Sequence, residues 1–261
     1  MASAVAADLE GGVSRLAKLA SAASRVLFVT GAGISADSGL PTYRGVGGLY
    51  EIESTEEGIP IEVALSGEAM ARAPALCWKY IHQIEAACRG ALPNGGHHAI
   101  AALERHVEAV VVLTQNVDGF HHAAGSSRVV AIHGDIHDID CTRCEATRRV
   151  EDYAELSPLP RCPQCGAVER PRVVLFGELL PEPAVATLME EEARGFDLVV
   201  AVGTTAGFPY IAGQVARAAA AGVPTVEINP ARTVLSDLVS LRIAGRAEPT
   251  LVSLCERLDG G

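Results

Sequence analysis

The chain has 261 residues, a formal net charge of −11, a hydrophobic fraction of 49% and only 4% aromatics. Such a length holds one large domain, or a large one with small inserts, and the aliphatic bias argues against disorder and against an all-β fold. The acidity, with a pI near 5.2, argues against gripping phosphate backbones, so no direct nucleic-acid partner is expected, whereas cationic partners such as lysine-bearing peptides are compatible with it.

In chain order, Leu9, Val13, Leu16, Leu19 and Ala23 recur at helical spacing, and the apolar run at 26–29 reads as a buried strand leading into Thr30-Gly31-Ala32-Gly33. Similar runs stand at 110–113, 129–132, 173–176, 198–202 and 225–228. Most are continuous rather than alternating, as parallel strands covered on both faces require. Helical patterns at 97–105 and 210–221, the second closed by Gly222 with Pro224 beyond, lie between them. The pattern predicts a doubly wound, parallel, Rossmann-like α/β sheet. Residues 45–96, helical without a strand signal, and 137–172, rich in Cys, Pro and Arg, depart from it. They read as inserts that build a smaller zinc-ribbon plus helical lobe, leaving 1–44, 97–136 and 173–261 as the main domain. Residues 259–261 are expected to fray.

Seven cysteines, four of them in two Cys-x-x-Cys knuckles, point to metal binding in a reducing compartment rather than to a disulfide framework. Cys141, Cys144, Cys162 and Cys165 have zinc-ribbon spacing. Four thiolates leave no open coordination position, so the zinc is structural. Arg143, Arg148, Arg149 and Arg161 are placed to offset the negative charge of that centre. A basic leader and a membrane-length apolar run are both missing, so a cytoplasmic protein without membrane association is expected.

Gly31-Ala32-Gly33-Ile34-Ser35-Ala36 fits G-x-G-x-x-A, which either brings backbone amides to a pyrophosphate or makes a tight structural turn. The acidic ribose ligand of a dehydrogenase does not follow a second strand, since Glu51 and Glu53 fall in the helical insert. The turn formers through Gly45 suggest a lid, with Tyr43 to cover a planar ring and Arg44 to meet a phosphate. Asn116 and Asp118 leave a strand's carboxyl end, where they either contact a ligand or make an Asx turn. His133, before Gly134 at another strand end, is a candidate general base or a structural histidine. His121 and His122 read as helix-surface residues.

Together, residues 31–44, Gln115 with Asn116 and Asp118, His133-Gly134, the four cysteines, residues 174–178 with Pro181, Gly203-Thr204-Thr205 and Ile228-Asn229-Pro230 occur in an order that resembles the sirtuins of bacterial type, NAD-dependent protein-lysine deacylases. The resemblance implies NAD as co-substrate and acyl-lysine proteins or peptides as partners, meeting in a cleft between the lobes. It implies attack of the acyl oxygen on the nicotinamide ribose, release of nicotinamide, and His133 as general base on a ribose hydroxyl, with an O-acyl-ADP-ribose product. By the same resemblance Gly31, Ala32, Gly33, Ala36, Tyr43 and Arg44 bind NAD, Gln115 and Asn116 the ribose, Asp118 the carboxamide, and Gly203, Thr204, Thr205, Asn229 and Ala247 the adenosine half. Val174, Phe176, Gly177 and Glu178 would pair with a substrate strand.

Tyr43 stands where the family usually has Phe, and Thr205 where it has Ser. Desuccinylating members carry a Tyr-x-x-Arg pair that aligns here with Ile81 and Ile84, or with Tyr80 and Gln83 after a shift of one. None of these residues is a cation, so neutral acyl groups are expected. Two other functions share the same parts: an NAD or ADP-ribose sensor, and a mono-ADP-ribosyltransferase.

Overall fold

The computed structural model describes residues 2–41 and 55–260, with side chains from Leu9 onward. Tyr43, Arg44, Glu51 and Glu53, and with them the part of the expected lid beyond Pro41, lie outside the described residues. The chain runs α1 (Ala2–Ala22), β1 (Arg25–Thr30), α2 (Ile61–Ala64), α3 (Gly67–Arg72), α4 (Pro74–Cys88), α5 (Gly95–Ala102), β2 (Ala109–Thr114), α6 (Phe120–Ala123) and β3 (Val129–Ala131). It continues through β4 (Gly134–Cys141), β5 (Thr147–Arg149), β6 (Glu169–Val173), α7 (Glu182–Arg194), β7 (Leu198–Val202), α8 (Pro209–Ala220), β8 (Thr225–Ile228), β9 (Leu241–Ile243) and α9 (Ala247–Asp259).

Six strands form an all-parallel sheet in the order β3-β2-β1-β7-β8-β9. Along β1, β2, β3 and β7 alternate residues feed two different cores, which is why those runs are apolar throughout. Val26 and Phe28 pack with Leu16, Ile100 and Leu251 on one face, while Leu27 and Val29 pack with Leu188, Ile211 and Val215 on the other. The order reverses between β1 and β7, making a topological switch point, and the crevice outside the strands' carboxyl ends there is where open α/β sheets bind ligands.

A second sheet, β5-β4-β6, is antiparallel. The apolar run at 173–176, expected as a strand of the parallel sheet, instead ends β6 at Val173, while Leu175 is buried in the third core with Trp78, Ile81, Ile139 and Tyr153. A short apolar run reports burial on both sides but not which sheet supplies it. That third core joins α4 to the antiparallel sheet, and Trp78 Nε1 donates to the Glu169 carbonyl of β6 at 2.7 Å. β9 carried no apolar run in the sequence because Arg242 interrupts its three residues.

Two further differences concern titratable residues. His121 is buried, with Nε2 2.9 Å from Thr30 Oγ1, whereas His122 is exposed as expected. Asp259 does not fray: it is the last residue of α9 and lies 2.8 Å from His106 Nε2.

Candidate active site

Gly31, Gln115, His133, Gly203 and Asn229 all follow directly, or within two residues, the carboxyl ends of β1, β2, β3, β7 and β8. Two glycine contacts set this rim. A Cβ on Gly33 would stand 2.6 Å from Gly203 Cα, and the Gly33 amide donates to the Gly203 carbonyl at 2.8 Å. The Gly31 amide likewise donates to the Val202 carbonyl at 3.1 Å. The glycines of the G-x-G-x-x-A turn therefore serve close packing of two strand ends, a job the sequence did not separate from phosphate binding. Instead of a long helix, two short 3-10 turns follow, Ala32–Ile34 and Ala36–Ser38. Ala36 is exposed.

The second contact explains the His133-Gly134 pair. Gly134 has φ +85°, and a Cβ there would lie 1.9 Å from the Arg172 carbonyl oxygen. Only glycine fits where the chain leaves β3, presents His133 and enters the antiparallel sheet.

Ser35, which the sequence did not mark as functional, is the hub of the polar network. Its buried hydroxyl donates to Asp118 Oδ2 at 2.7 Å, accepts from Asn116 Nδ2 at 3.2 Å and lies 3.4 Å from His97 Nε2. Asn116 Nδ2 also donates to the Gly31 carbonyl at 3.2 Å, while its Oδ1 is buried without a partner among the described residues. Asp118 Oδ1 accepts from the Phe120 amide at 3.0 Å, the Asx-turn geometry the sequence left open beside a ligand role. Burial raises the Asp118 carboxyl above its ordinary range despite these bonds. Gln115 Nε2 donates to Thr204 Oγ1 at 2.8 Å, and Asn229 Nδ2 to the Thr204 carbonyl at 3.1 Å, so Thr204 links the β2, β7 and β8 ends.

Ala32, Ser35, Leu40 and Pro41 line a cavity together with Asn116, Val117 and Asp118. Ile84 and Cys88 of α4 and Ile136 of β4 complete its lining. Ile81, expected beside Ile84 in an acyl pocket, is instead buried in the third core and does not line this cavity. Tyr80 is tied to Glu57 through its hydroxyl and accepts there from the Glu56 amide at 3.2 Å.

His133 Nδ1 lies 2.9 Å from the Gln115 carbonyl oxygen, and Nε2 lies 2.6 Å from the Tyr210 hydroxyl. Burial lowers its pKa, partly offset by the Gln115 carbonyl, so the ring is neutral near pH 7. Tyr210 was hidden in an apolar helical pattern and carried no sequence signal.

The remaining expected residues do not line this cavity. The Ala247 side chain is buried in the core with Ile243 and Leu251. Thr205 is exposed. Phe176 pairs its backbone with Leu65 and Gly67 at 3.0 Å each. Val174 donates its amide to the His133 carbonyl at 2.9 Å. Gly177 is exposed with φ +79°. The Glu178 carboxylate is held by Arg170 at 2.6 and 2.8 Å and by the Leu175 amide at 2.9 Å. Burial would raise its pKa, but these donors outweigh it and leave the group lowered.

The four knuckle sulfurs lie within 4.8 Å of one another, with Cys141–Cys165 at 3.5 Å and Cys144–Cys162 at 3.6 Å, and no disulfide joins them. Sulfurs held tetrahedrally about 2.3 Å from zinc stand roughly 3.8 Å apart, so the donor set fits that metal. The arginines are less devoted to the centre than expected. Arg143 donates to the Cys165 carbonyl and Arg161 to the Gly166 carbonyl, but Arg148 pairs with Glu169 and Arg149 with Asp135 and Asp138.

Residues 31–208 match the Sir2 family. The chain belongs to the Sir2 family. It is 50% identical over 243 residues to the Pseudomonas aeruginosa protein named NAD-dependent protein deacylase 2, covering 92% of this chain and 94% of that one. A Pyrobaculum aerophilum protein of the same name is 41% identical, covering 92% and 93%. Among solved structures, a mutant Sir2 homologue in complex with ADP-ribose superposes with a TM-score of 0.85 at 32% identity, covering 94% of this chain and 96% of that one. A Sir2 homologue–NAD complex gives 0.80 at 32%, covering 95% and 94%. A Sir2 complex with a p53 peptide and NAD+ gives 0.78 at 26%, covering 95% and 98%. Among the described residues, no helix is long and apolar enough to cross a membrane.

Proposed function

We infer that this Sir2-family chain is an NAD-dependent protein deacylase in which His133 is the general base and Asn116 and Asp118 hold the nicotinamide ribose and carboxamide. The observation that carries the reading is the His133 imidazole held at a strand end with Nδ1 2.9 Å from the Gln115 carbonyl oxygen, its pKa lowered by burial. It stands on the same strand-end rim as a buried acceptor, Asn116 Oδ1, with no partner among the described residues. A buried acceptor of that kind calls for a donor such as a ribose hydroxyl or a carboxamide. NAD supplies the electrophilic ribose carbon and the nicotinamide leaving group. The chain's share is to hold the ribose, to exclude water with Leu40, Ile84 and Ile136, and to accept a ribose-hydroxyl proton at His133 Nε2.

The substrate is an acyl-lysine peptide or protein. Because Phe176 spends its backbone on Leu65 and Gly67, the peptide is received along the edge that exposes Gly177. Ile84 is the acyl-pocket residue on the cavity, and among the described residues its lining holds no cation to meet a terminal carboxylate. Acetyl and longer aliphatic groups are therefore preferred. Turnover of acetyl-, butyryl- and succinyl-lysine versions of one peptide checks this: succinyl should be slowest, and a succinyl rate above the acetyl rate contradicts the assignment of the pocket. The four cysteines hold structural zinc, and the small lobe is assigned to residues 45–96 and 137–172, with its core reaching Leu175.

A further inference from the structure

Tyr210 lies in the first turn of α8, just after Pro209, which suits that position because its fixed φ is already helical. The amides of Ile211 and Ala212 both donate to the Phe208 carbonyl at 3.0 Å, so the chain around Tyr210 is set by the helix start rather than by a loose loop. Phe208 stacks on Tyr210, with centroids 5.4 Å apart at 17°. Both rings meet His133 edge-on, at 5.9 and 6.0 Å. His133 is thus walled by two aromatic rings and bonded at both nitrogens.

The partners fix the roles of those nitrogens. A carbonyl oxygen can only accept, so the 2.9 Å contact to Gln115 puts the ring proton on Nδ1. In the neutral ring Nε2 is then the lone-pair nitrogen, and the Tyr210 hydroxyl, 2.6 Å away, donates to it. Burial raises the Tyr210 pKa above its ordinary value, so the phenol keeps the proton it donates.

We propose that Tyr210 is a positioning residue for His133: with the Gln115 carbonyl it clamps the imidazole at two points, holding the Nε2 lone pair in the tautomer and orientation that a ligand hydroxyl meets when it takes the phenol's place. The proposal rests on the reading of His133 as general base. Exchanging one hydroxyl donor for another at Nε2 is close to neutral in free energy. The clamp therefore orients the base without blocking it. Without the phenol the ring is held at one end only, and the productive orientation must be found in each turnover.

The test compares wild type, Tyr210→Phe and His133→Ala. It measures acetyl-lysine peptide deacetylation, peptide-dependent exchange of labelled nicotinamide into NAD, and the 15N spectrum of the His133 ring in the ligand-free protein. Exchange does not require the base, so Tyr210→Phe should exchange at the wild-type rate with peptide and NAD KM values unchanged. Its deacetylation kcat should fall about 3- to 10-fold, the scale of one lost hydrogen bond. The wild-type spectrum should show the Nδ1–H tautomer with a hydrogen-bonded Nε2, and the variant's Nε2 signal should move to the free-acceptor position. An unchanged kcat in Tyr210→Phe beside an inactive His133→Ala overturns the clamp alone. Normal deacetylation by His133→Ala overturns the base reading and the clamp with it. Equal losses of exchange and deacetylation in Tyr210→Phe mark a merely structural tyrosine and overturn the proposal. If that variant does not fold, a wild-type spectrum without the Nδ1–H tautomer overturns it instead.

Discussion

The strand-end rim of the parallel sheet and the small lobe that closes over it are held in different ways. At the rim, Ser35 bonds Asn116 and Asp118 while Thr204 bonds Gln115 and Asn229, all within five residues of the carboxyl ends of buried parallel strands. In the small lobe one apolar core joins α4 to a three-stranded antiparallel sheet whose far end depends on four cysteines. The sheet positions the chemistry with its own hydrogen bonds, whereas the lobe needs a metal to make a short, Pro-rich insert into a wall. The two should fail separately.

Zinc removal gives the largest expected effect. Structural zinc contributes roughly 10–16 kcal/mol of apparent binding free energy in small domains, so chelation should unfold the small lobe and abolish activity. Trp78, the single tryptophan, is fully buried in that core and bonded to β6. Its emission should shift to the red while most helical circular dichroism, carried by the parallel-sheet domain, remains. Full activity after complete chelation contradicts a structural metal. His133→Ala touches only the rim: deacylation should fall about 10²- to 10⁴-fold with an unchanged melting temperature. A loss of fold in this variant, followed by calorimetry, would make His133 structural.

Gly134→Ala acts on the joint between the two regions. With φ +85° and the Arg172 carbonyl 1.9 Å from any Cβ, it should cost about 2 kcal/mol or more and disturb both regions together. A variant as stable as the wild type in urea would show that the turn can relax. A pH slope sharpens the comparison from within the large domain. Burial lowers the His97 pKa to about 4 and the His121 pKa to about 3, both below the ordinary 6.5. The unfolded chain therefore binds more protons as pH drops below about 6.5, and stability present above that pH is lost toward pH 4 at about 1.4 kcal/mol per unit for each histidine. Denaturant unfolding across pH 4 to 7 should show this slope reduced in His121→Gln, and an unchanged slope removes His121 from the account.

The parallel sheet was readable because a strand covered on both faces must be apolar throughout, as at 26–29, 110–113 and 198–202. The same rule misplaced 173–176, whose apolar residues face the third core instead, and it passed over β9, where Arg242 sits between two buried residues. The chemistry-bearing types at strand ends stood out, but their connections did not. Ser35 as the hub, His121 as a buried partner of Thr30 and Tyr210 against His133 are contacts across 62 to 91 residues of chain, and no local pattern encodes them. The cysteines were the clearest signal, because tetrahedral coordination demands a spacing that little else does.

The central claim, that the rim carries NAD-dependent deacylation, is tested most directly by nicotinamide release from NAD with and without an acetyl-lysine peptide, followed beside lysine deacetylation. The account predicts release that depends on the acetyl group, one nicotinamide for each lysine deacetylated. Nicotinamide release that ignores the peptide, or none at all with zinc-loaded folded protein, would contradict it.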